Sequence, residues 1–129
     1  VQTCALPISG WRDISSLIST DAVLTTVGSW YLRRIGSRVA LQATGVTKTA
    51  VAKTLTGLIP TGFRAAPANG VGILGDANNS LCRALSNTSG DIILAAAVSS
   101  AGSLGFTWTT SDTWPGTLPG TPSGTIPTT

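Results

Sequence analysis

The sequence predicts a small all-β domain with antiparallel strands, of the β-sandwich or jelly-roll type. Strong helix formers are scarce, since Glu and Met are absent and Thr, Val, Ile, Gly and Ser dominate the 129 residues. Short apolar runs, separated by Gly, Pro, Asn and Asp, recur at roughly the spacing that sandwiches and barrels show. Charged residues make up 10% of the chain and the mean hydropathy is +0.31, which excludes a disordered chain.

The most distinct element is a β-hairpin over residues 29–44. Two apolar-rich runs flank Gly36-Ser37, and a glycine in the first central position of a two-residue loop suits a type II′ turn. In the second run Val39 and Leu41 alternate with polar or small residues, which is the period of a half-buried strand. The hairpin therefore predicts four core residues: Trp30, Leu32, Val39 and Leu41.

Residues 10–28 form a lead-in to this hairpin. Their apolar residues Ile14, Leu17 and Ile18 have helical spacing, which indicates a short helical turn over 15–19. A strand fits the same residues equally well, so the pattern leaves both alternatives open.

The segment after the hairpin predicts two more strands joined by a loop. Residues 46–56 lack a clear apolar face and are interpreted as strand, loop and strand, with the tip of the loop at 49–53. Lys48 and Lys53 are expected to be solvated there. Because Pro60 cannot donate to a ladder hydrogen bond, the next run ends a strand or lies at a sheet edge.

The second half of the chain predicts further strands joined by tight turns. Alternating patterns indicate strands at 69–75, 81–85 and 104–108, with a turn at 99–103 before the last. Residues 91–98 are apolar on both faces. They predict a strand covered on both sides, the second cover coming from another subunit, although a helix of two turns is the alternative.

After Thr109 the composition changes. Prolines alternate with Gly and Thr from there, which predicts an extended tail that does not continue the sheet. The predicted organisation is, in chain order, an N-terminal peptide at 1–9, the lead-in at 10–28, the β-sandwich domain at 29–112 and the tail at 113–129.

The first nine residues, Val-Gln-Thr-Cys-Ala-Leu-Pro-Ile-Ser, resemble a translated sequencing-library adapter. The adapter codons GTT CAG ACG TGT GCT CTT CCG ATC encode this peptide in frame up to Ile8. We therefore expect residues 1–9 not to belong to the natural protein, the alternatives being a natural strand or a signal-peptide remnant.

If Cys4 is not part of the natural protein, a disulfide between Cys4 and Cys82 is not expected. Since the chain has no His to activate it, Cys82 is expected to be a small buried hydrophobe.

Five short motifs resemble, in order and spacing, those of one family. They are Gly-Trp-Arg-Asp-Ile at 10–14, the pattern RRxGxxVxL at 33–41, Leu-Ile-Pro-Thr-Gly-Phe-Arg at 58–64, which resembles LPxGFRP, Thr-Thr-Ser-Asp-Thr-Trp-Pro at 109–115 and Leu-Pro-Gly at 118–120. Together they resemble the C-terminal domain of tail-fibre or minor tail proteins, of the receptor-binding type, from phages of actinobacteria. Ile59 and residues 65–67 depart from the pattern.

The resemblance implies an all-β, usually trimeric domain in the virion that contributes to adsorption on the host. Its implied partners are copies of itself, other tail proteins, and a host cell-wall glycan or glycopolymer. The resemblance implies no catalytic residue and no cofactor. One alternative is a structural trimeric knob that binds no receptor. A cell-wall polysaccharide depolymerase is the third hypothesis, but it needs paired carboxylates, which the pattern of five Asp does not indicate.

Candidate binding residues are aromatic rings, which stack on sugars, and basic side chains, which attract anionic cell-wall polymers. Trp30 and Trp108 lie in strand-like runs and are expected in the core. The arginines have an alternative interpretation, as solvated strand faces or as partners of Asp76 and Asp91 of another subunit, and Arg64 has a further one, as a positioning residue. The predicted ligand-binding residues are Tyr31, Arg33, Arg64 and Trp114.

Other kinds of site lack support in the sequence. The chain has no His and no Glu, no spacing typical of metal ligands and no glycine-rich phosphate loop. No apolar run is long enough for a membrane helix. The net charge of +3 comes from scattered basic residues, so no nucleic-acid partner is expected.

Overall fold

A computed structural model describes residues 7–78 and 80–124, and in them ten antiparallel strands form one continuous curled sheet. These residues contain no α-helix, and one 3₁₀ turn covers Ser15–Leu17. The prediction of a small antiparallel all-β domain is confirmed. In chain order the strands are β1 (Trp11–Asp13), β2 (Leu24–Thr26), β3 (Ser29–Ile35), β4 (Arg38–Lys48), β5 (Lys53–Leu55), β6 (Gly70–Gly75), β7 (Leu81–Ser86), β8 (Ile92–Leu94), β9 (Val98–Thr109) and β10 (Thr121–Ser123).

The two longest strands form the middle of the sheet. The strand order is β10-β1-β3-β4-β9-β6-β7-β8-β5, and β2 pairs with β4 beside this path. β4 and β9 pair from Arg38 with Thr109 to Lys48 with Val98. Register shifts between Thr44 and Lys48 mark β-bulges, which increase local twist and bend a sheet. β5 and β10 lie at the two ends of the sheet.

The predicted hairpin is present as β3 and β4. Ile35 pairs with Arg38 across the two-residue loop, and Gly36 has a φ of 57°. A positive φ at this position is what both primed hairpin turns require, which explains the glycine. The four predicted core residues of this hairpin are fully buried, which confirms their assignment: Trp30, Leu32, Val39 and Leu41.

Both tryptophans predicted to be in the core are buried there, and each indole N–H has an acceptor. Trp30 donates to the carbonyl of Val27 (2.7 Å), and Trp108 donates to the carbonyl of Phe63 (2.7 Å). These bonds satisfy the polar atom that usually keeps Trp near a surface. The loop between β5 and β6 is therefore fastened to β9 through Phe63.

Cys82 is buried and free, as the sequence predicts for a small hydrophobe. Its sulfur accepts the backbone N–H of Ala96 (3.2 Å). Cys4 lies outside the described residues.

Glycines on β6 make room for aromatic side chains of β9. A Cβ added to Gly72 would lie 2.5 Å from Cγ of Phe106, so a side chain there would displace the ring. The alternate residues of β6, Val71 and Ile73, point away from the core and are 59% and 60% exposed. The predicted strand at 69–75 is thus present, with two glycines and Leu74 on its inner face and Val71 and Ile73 on its outer face.

Two predictions for the region 91–103 are wrong. The segment 91–98 is not one continuous strand, because β8 ends at Leu94. Ile93 is half-buried and Ala95 is exposed, so this chain alone does not cover both faces. The predicted turn at 99–103 belongs to β9. Its small polar residues line the solvated face of a strand, a role that turn composition alone does not distinguish.

The expectation that Lys48 is solvated is also wrong. The side chain is only 2% exposed, and its ammonium group donates to the carbonyl oxygens of Thr49 (2.8 Å), Val51 (2.7 Å) and Ala96 (2.6 Å). Burial lowers the pKa of Lys48. The ammonium group therefore holds the loop after β4 against the segment after β8.

The tail, predicted to stay out of the sheet, returns to it as β10. β10 pairs with β1, and Pro122 lies opposite Arg12. A proline is tolerated there because the outer edge of β10 has no neighbouring strand in the described part of the chain. The Arg12 guanidinium donates to the carbonyls of Pro119 (2.7 Å) and Gly120 (3.0 Å). A Cβ at Gly120 would lie 2.0 Å from the carbonyl oxygen of Asp13, so the close approach requires glycine.

Residues 7–9, which the sequence predicts to be adapter-derived, contact the end of β3. The N–H of Gly36 donates to the carbonyl of Pro7 (2.9 Å). The N–H of Ser9 donates to the carbonyl of Arg34 (3.0 Å). These bonds attach the peptide to the hairpin turn.

Candidate functional site

The four predicted binding residues fall into two groups on opposite faces of the sheet. Tyr31 and Arg33 alternate with buried residues of β3 and lie on its outward face, each half-buried. Arg64 and Trp114 belong to a cluster on the inner side, around the buried Arg34. The sequence placed all four in one candidate set, and the structure does not bring them together.

Arg34 is the centre of the inner cluster, and it is 7% exposed. Trp114 covers the guanidinium, with the ring centroid 5.1 Å from Cζ, a cation–π distance. Three parts of the chain are fastened by this one side chain: the hairpin turn, the loop before β6 and the segment after β9. The guanidinium donates to four backbone carbonyl oxygens, those of Gly36 (2.7 Å), Asp112 (2.8 Å), Thr113 (3.2 Å) and Gly62.

The carboxylate of Asp112 completes the cluster. It accepts the backbone N–H groups of Gly62 (2.8 Å) and Arg64 (3.1 Å) and pairs with the Arg64 guanidinium (3.3 Å). Burial raises the pKa of Asp112, but these hydrogen bonds outweigh it, so the pKa is lowered overall. We call Arg34, Gly62, Arg64, Asp112 and Trp114 the Arg34 clamp. Within it the charge of Arg64 is already neutralised.

The motifs that carry the family resemblance meet at two places. The clamp joins residues of the motifs at 33–41, 58–64 and 109–115. Arg12, in the motif at 10–14, bonds to the carbonyls of the motif at 118–120. The motif residues Arg34, Arg64, Asp112 and Trp114 therefore have structural roles, which leaves the outward face as the candidate for binding.

A shallow groove crosses the outward face of β1, β3, β4 and β9. It consists of two neighbouring depressions, of about 440 and 250 Å³, that share Trp11 and Gln42 as lining residues. Ala40 and Gly105 are small, and they form the floor between larger neighbours. We define the outward groove by these residues: Trp11, Tyr31, Arg33, Ala40, Gln42, Gly105 and Thr107.

Strand register explains why these side chains converge. Tyr31 pairs with Gln42, and Gln42 pairs with Gly105, which forms one row across the sheet. In the next row Arg33 pairs with Ala40, and the β1–β3 register places Trp11 opposite Arg33. Cζ of Arg33 lies 4.4 Å from the centroid of the Trp11 ring. The groove thus presents two aromatic rings, one amide and one guanidinium.

Of the groove residues, the sequence predicted Tyr31 and Arg33 but not Gln42 or Trp11, and Trp11 was the harder of these to find. β1 has only three residues, too few for an alternating pattern to assign its faces. The signal that was available is the motif at 10–14, since its Trp and Asp necessarily share a face of any strand while its Arg takes the other.

No protein-family model, curated protein or solved structure matches this chain. Across residues 7–78 and 80–124, no helix has the length and apolar character needed to cross a membrane. The same residues contain no group of three or more Cys and Asp side chains placed to hold a metal ion.

Another cleft, with a volume of about 490 Å³, lies between the lead-in and β5. Asp21 and Lys53 form an ion pair at its wall, and the hydrogen bond from Lys53 together with those from the backbone N–H groups of Leu24 and Val23 lowers the pKa of Asp21 to about 2. Leu17 and Leu58 contribute apolar surface, but no aromatic ring lines the cleft. Since its two charges satisfy each other, the cleft offers less for ligand recognition than the outward groove.

All five carboxylates accept local hydrogen bonds. Asp76 accepts backbone N–H groups from the turn that follows it and from Ser99 and Ser100. Asp91 accepts the N–H of Gly57 and an amide N–H of Asn87. The pKa is lowered in every case, so all five are ionised at neutral pH: Asp13, Asp21, Asp76, Asp91 and Asp112.

Proposed function

We propose that this chain is a glycan-binding domain of the phage tail-fibre or minor tail type, located in the virion, which helps the particle attach to its host. The observation that supports binding is the outward groove, in which Trp11, Tyr31 and Gln42 surround a floor of small residues. The motif resemblance supports the setting in a phage tail. The proposal includes no catalytic step and no cofactor.

The groove has the chemistry that a saccharide requires. Aromatic rings such as those of Trp11 and Tyr31 pack against the apolar faces of sugar rings and retain a polar atom for hydroxyl groups. The amide of Gln42 supplies both a donor and an acceptor. A flat, strand-built surface suits an extended polymer better than a small metabolite, which a deep pocket would enclose.

The carboxylates favour binding over hydrolysis. A glycosidase needs one carboxyl group with a raised pKa as general acid and a second as base or nucleophile. The pKa of Asp13, the nearest carboxyl group to the groove, is instead lowered by its hydrogen bonds to Ser15. This supports a non-enzymatic function over a depolymerase.

Filling the groove is expected to abolish attachment without unfolding the domain. A Cβ at Gly105 would meet nothing nearer than Cγ of Gln42 at 4.0 Å, so Gly105→Leu places a side chain in the groove without a clash. We expect fluorescently labelled protein to bind cells of at least one strain in an actinobacterial panel, and Gly105→Leu to weaken this binding about tenfold or more.

Ala101→Leu is the matched control, because Ala101 lies exposed on the same face of β9 outside the groove. It is expected to bind like the unmodified protein. Equal binding by both variants would contradict the groove as the site. No binding to any strain or to purified cell-wall polysaccharide would contradict the function.

A second candidate function is a structural knob that assembles as a homotrimer and contacts other tail proteins. The observation that favours it is an apolar surface on the outward side of β6 and β7, where Val71, Ile73 and Leu81 are 59%, 60% and 67% exposed. Single exposed apolar residues are common, but a contiguous patch usually marks an interaction surface. We propose that other copies of this chain cover it, as the resemblance implies.

Self-association through this surface is expected to be lost in the double variant Val71→Thr/Ile73→Thr. Threonine keeps the branched shape that favours a strand while removing apolar area. Light scattering after size-exclusion chromatography should give a trimer for the unmodified chain and a monomer for the variant. Val51→Thr, at an exposed loop residue, should remain trimeric. A monomeric unmodified chain at micromolar concentration would contradict the proposal.

A further inference from the structure

We infer that the ligand of the outward groove is an anionic polysaccharide, whose negative charges bind Arg33 and Arg38. This inference rests on the proposed function and narrows the class of glycan. It starts from the distribution of charge over the whole domain and then uses the positions of the two arginines.

All five carboxylates of the domain accept hydrogen bonds from the protein, but not all of its basic side chains have an acceptor. Lys53 and Arg64 pair with carboxylates. Three further basic side chains donate to backbone carbonyls: Arg12, Arg34 and Lys48. Among the described residues, the basic side chains that have no hydrogen-bond acceptor are those of Arg33, Arg38 and Arg83. The other five basic side chains are already bonded to the protein, so these three arginines are the ones whose N–H groups are available to a ligand.

Two of these arginines share the outward face next to the groove. Arg33 pairs with Ala40, and Arg38 is two residues before Ala40 on the same face of β4. Arg33 and Arg38 are thus diagonal neighbours, with Cα atoms about 7–8 Å apart. A polymer that carries a charge on each repeat can contact both guanidinium groups at once.

Trp11 orients the Arg33 guanidinium for binding an anion. The ring lies 4.4 Å from Cζ of the guanidinium and restricts its orientation, while the N–H groups have no acceptor in the described part of the chain. Arginine binds carboxylate and phosphate through two parallel hydrogen bonds, so a fixed plane loses less entropy on binding. The stack explains why this half-buried cation needs no carboxylate of its own.

The remaining charge on this face sets the direction of the polymer. Asp13 pairs with Tyr31, one row away from Arg33 and on the side opposite to Arg38. Its carboxylate is ionised, because hydrogen bonds to Ser15 lower its pKa. Repulsion from Asp13 therefore favours a path for the anionic groups from Arg33 towards Arg38 and the hairpin turn.

The test measures binding of the full chain to defined polymers by calorimetry. The probes are a poly(glycerol phosphate) teichoic acid, a polyuronate and neutral dextran, so that phosphate, carboxylate and uncharged chains are distinguished. We expect one of the two anionic polymers to bind and dextran to bind at least tenfold more weakly. The double variant Arg33→Gln/Arg38→Gln should raise the Kd about thirtyfold, since hydrogen bonds to charged groups are stronger than neutral ones.

Arg83→Gln is the control, because it makes the same kind of substitution and removes one positive charge at an exposed position on β7 outside the groove. It should change the Kd less than twofold.

Raising the salt from 0.05 to 0.5 M should weaken binding to the anionic polymer, because exposed charges are screened. Equal binding of dextran, or an unchanged Kd for the double variant, would overturn the anionic assignment while leaving glycan binding intact. Single-stranded DNA that binds as tightly as either polymer would overturn it in favour of a nucleic-acid ligand. No binding of any polymer, dextran and cell wall included, would instead reject the proposed function.

Discussion

Replacing Arg34 with glutamine is expected to lower the free energy of unfolding by about 3–4 kcal/mol. The guanidinium donates to four backbone carbonyls, and the shorter amide cannot reach them all. Those carbonyls belong to segments that approach one another closely, so water would replace the lost donors only after the segments separate. Denaturant unfolding followed by tryptophan fluorescence measures the change.

Arg33→Gln is the control for this prediction. The two arginines are adjacent in sequence, and replacing either with glutamine removes the same charge. Arg33, however, lies on the outward face with no backbone acceptor in the described residues. We expect its loss to change stability by less than about 1 kcal/mol, the range of exposed cation–π contacts. If both variants lose equal stability, the clamp is not what holds the three segments together.

Removal of the tail after Thr110 is expected to prevent folding. The deletion takes away Asp112 and Trp114 of the clamp, and it takes away β10 and the acceptors of Arg12. It leaves Arg34 buried without most of its partners, so the total loss should be about 5 kcal/mol or more, comparable with the stability of a whole domain. Near-ultraviolet circular dichroism and amide chemical-shift dispersion report whether the chain folds.

A shorter deletion separates the two contributions of the tail. A chain that ends at Gly116 keeps the clamp and loses β10, the acceptors of Arg12 and the packing of Leu118 against the core. It should fold with a lowered unfolding midpoint. A chain ending at Thr110 that folds with an unchanged midpoint would show that the tail is a dispensable extension, as its composition suggests.

The parts of the fold that sequence predicts well are those set by local alternation. The β3–β4 hairpin and the alternating end of β9 follow from period two and from one glycine in a turn. Lys48 shows where local pattern fails. Inward positions of β4 are odd-numbered up to Ala43, but a bulge at Gly45, with a φ of 75°, shifts the parity. Lys48 therefore points inward, although both its charge and its spacing from Leu41 predict the opposite.

The candidate site was predicted in part, because its members depend on pairings between distant segments. Tyr31 and Arg33 follow from the hairpin, whereas Trp11 enters the groove only through the pairing of β1 with β3. Arg64 was assigned to binding as a basic side chain, and Trp114 as an aromatic ring in the predicted tail. In the structure Arg64 pairs with Asp112, and Trp114 packs on Arg34. These contacts join residues far apart in the chain, which a local sequence pattern cannot pair.

The Arg34 clamp also constrains how the chain can fold as it is synthesised. Three carbonyl acceptors of the Arg34 guanidinium lie 28, 78 and 79 residues further along the chain, at Gly62, Asp112 and Thr113. Contacts of such long range make folding slow, on the scale of milliseconds to seconds for all-β domains. Until residues 112–114 have left the ribosome, Arg34 cannot be buried with its acceptors in place. Completion of the native state is therefore postponed until that point of synthesis, and a nascent chain that stalls earlier remains open to proteases and chaperones.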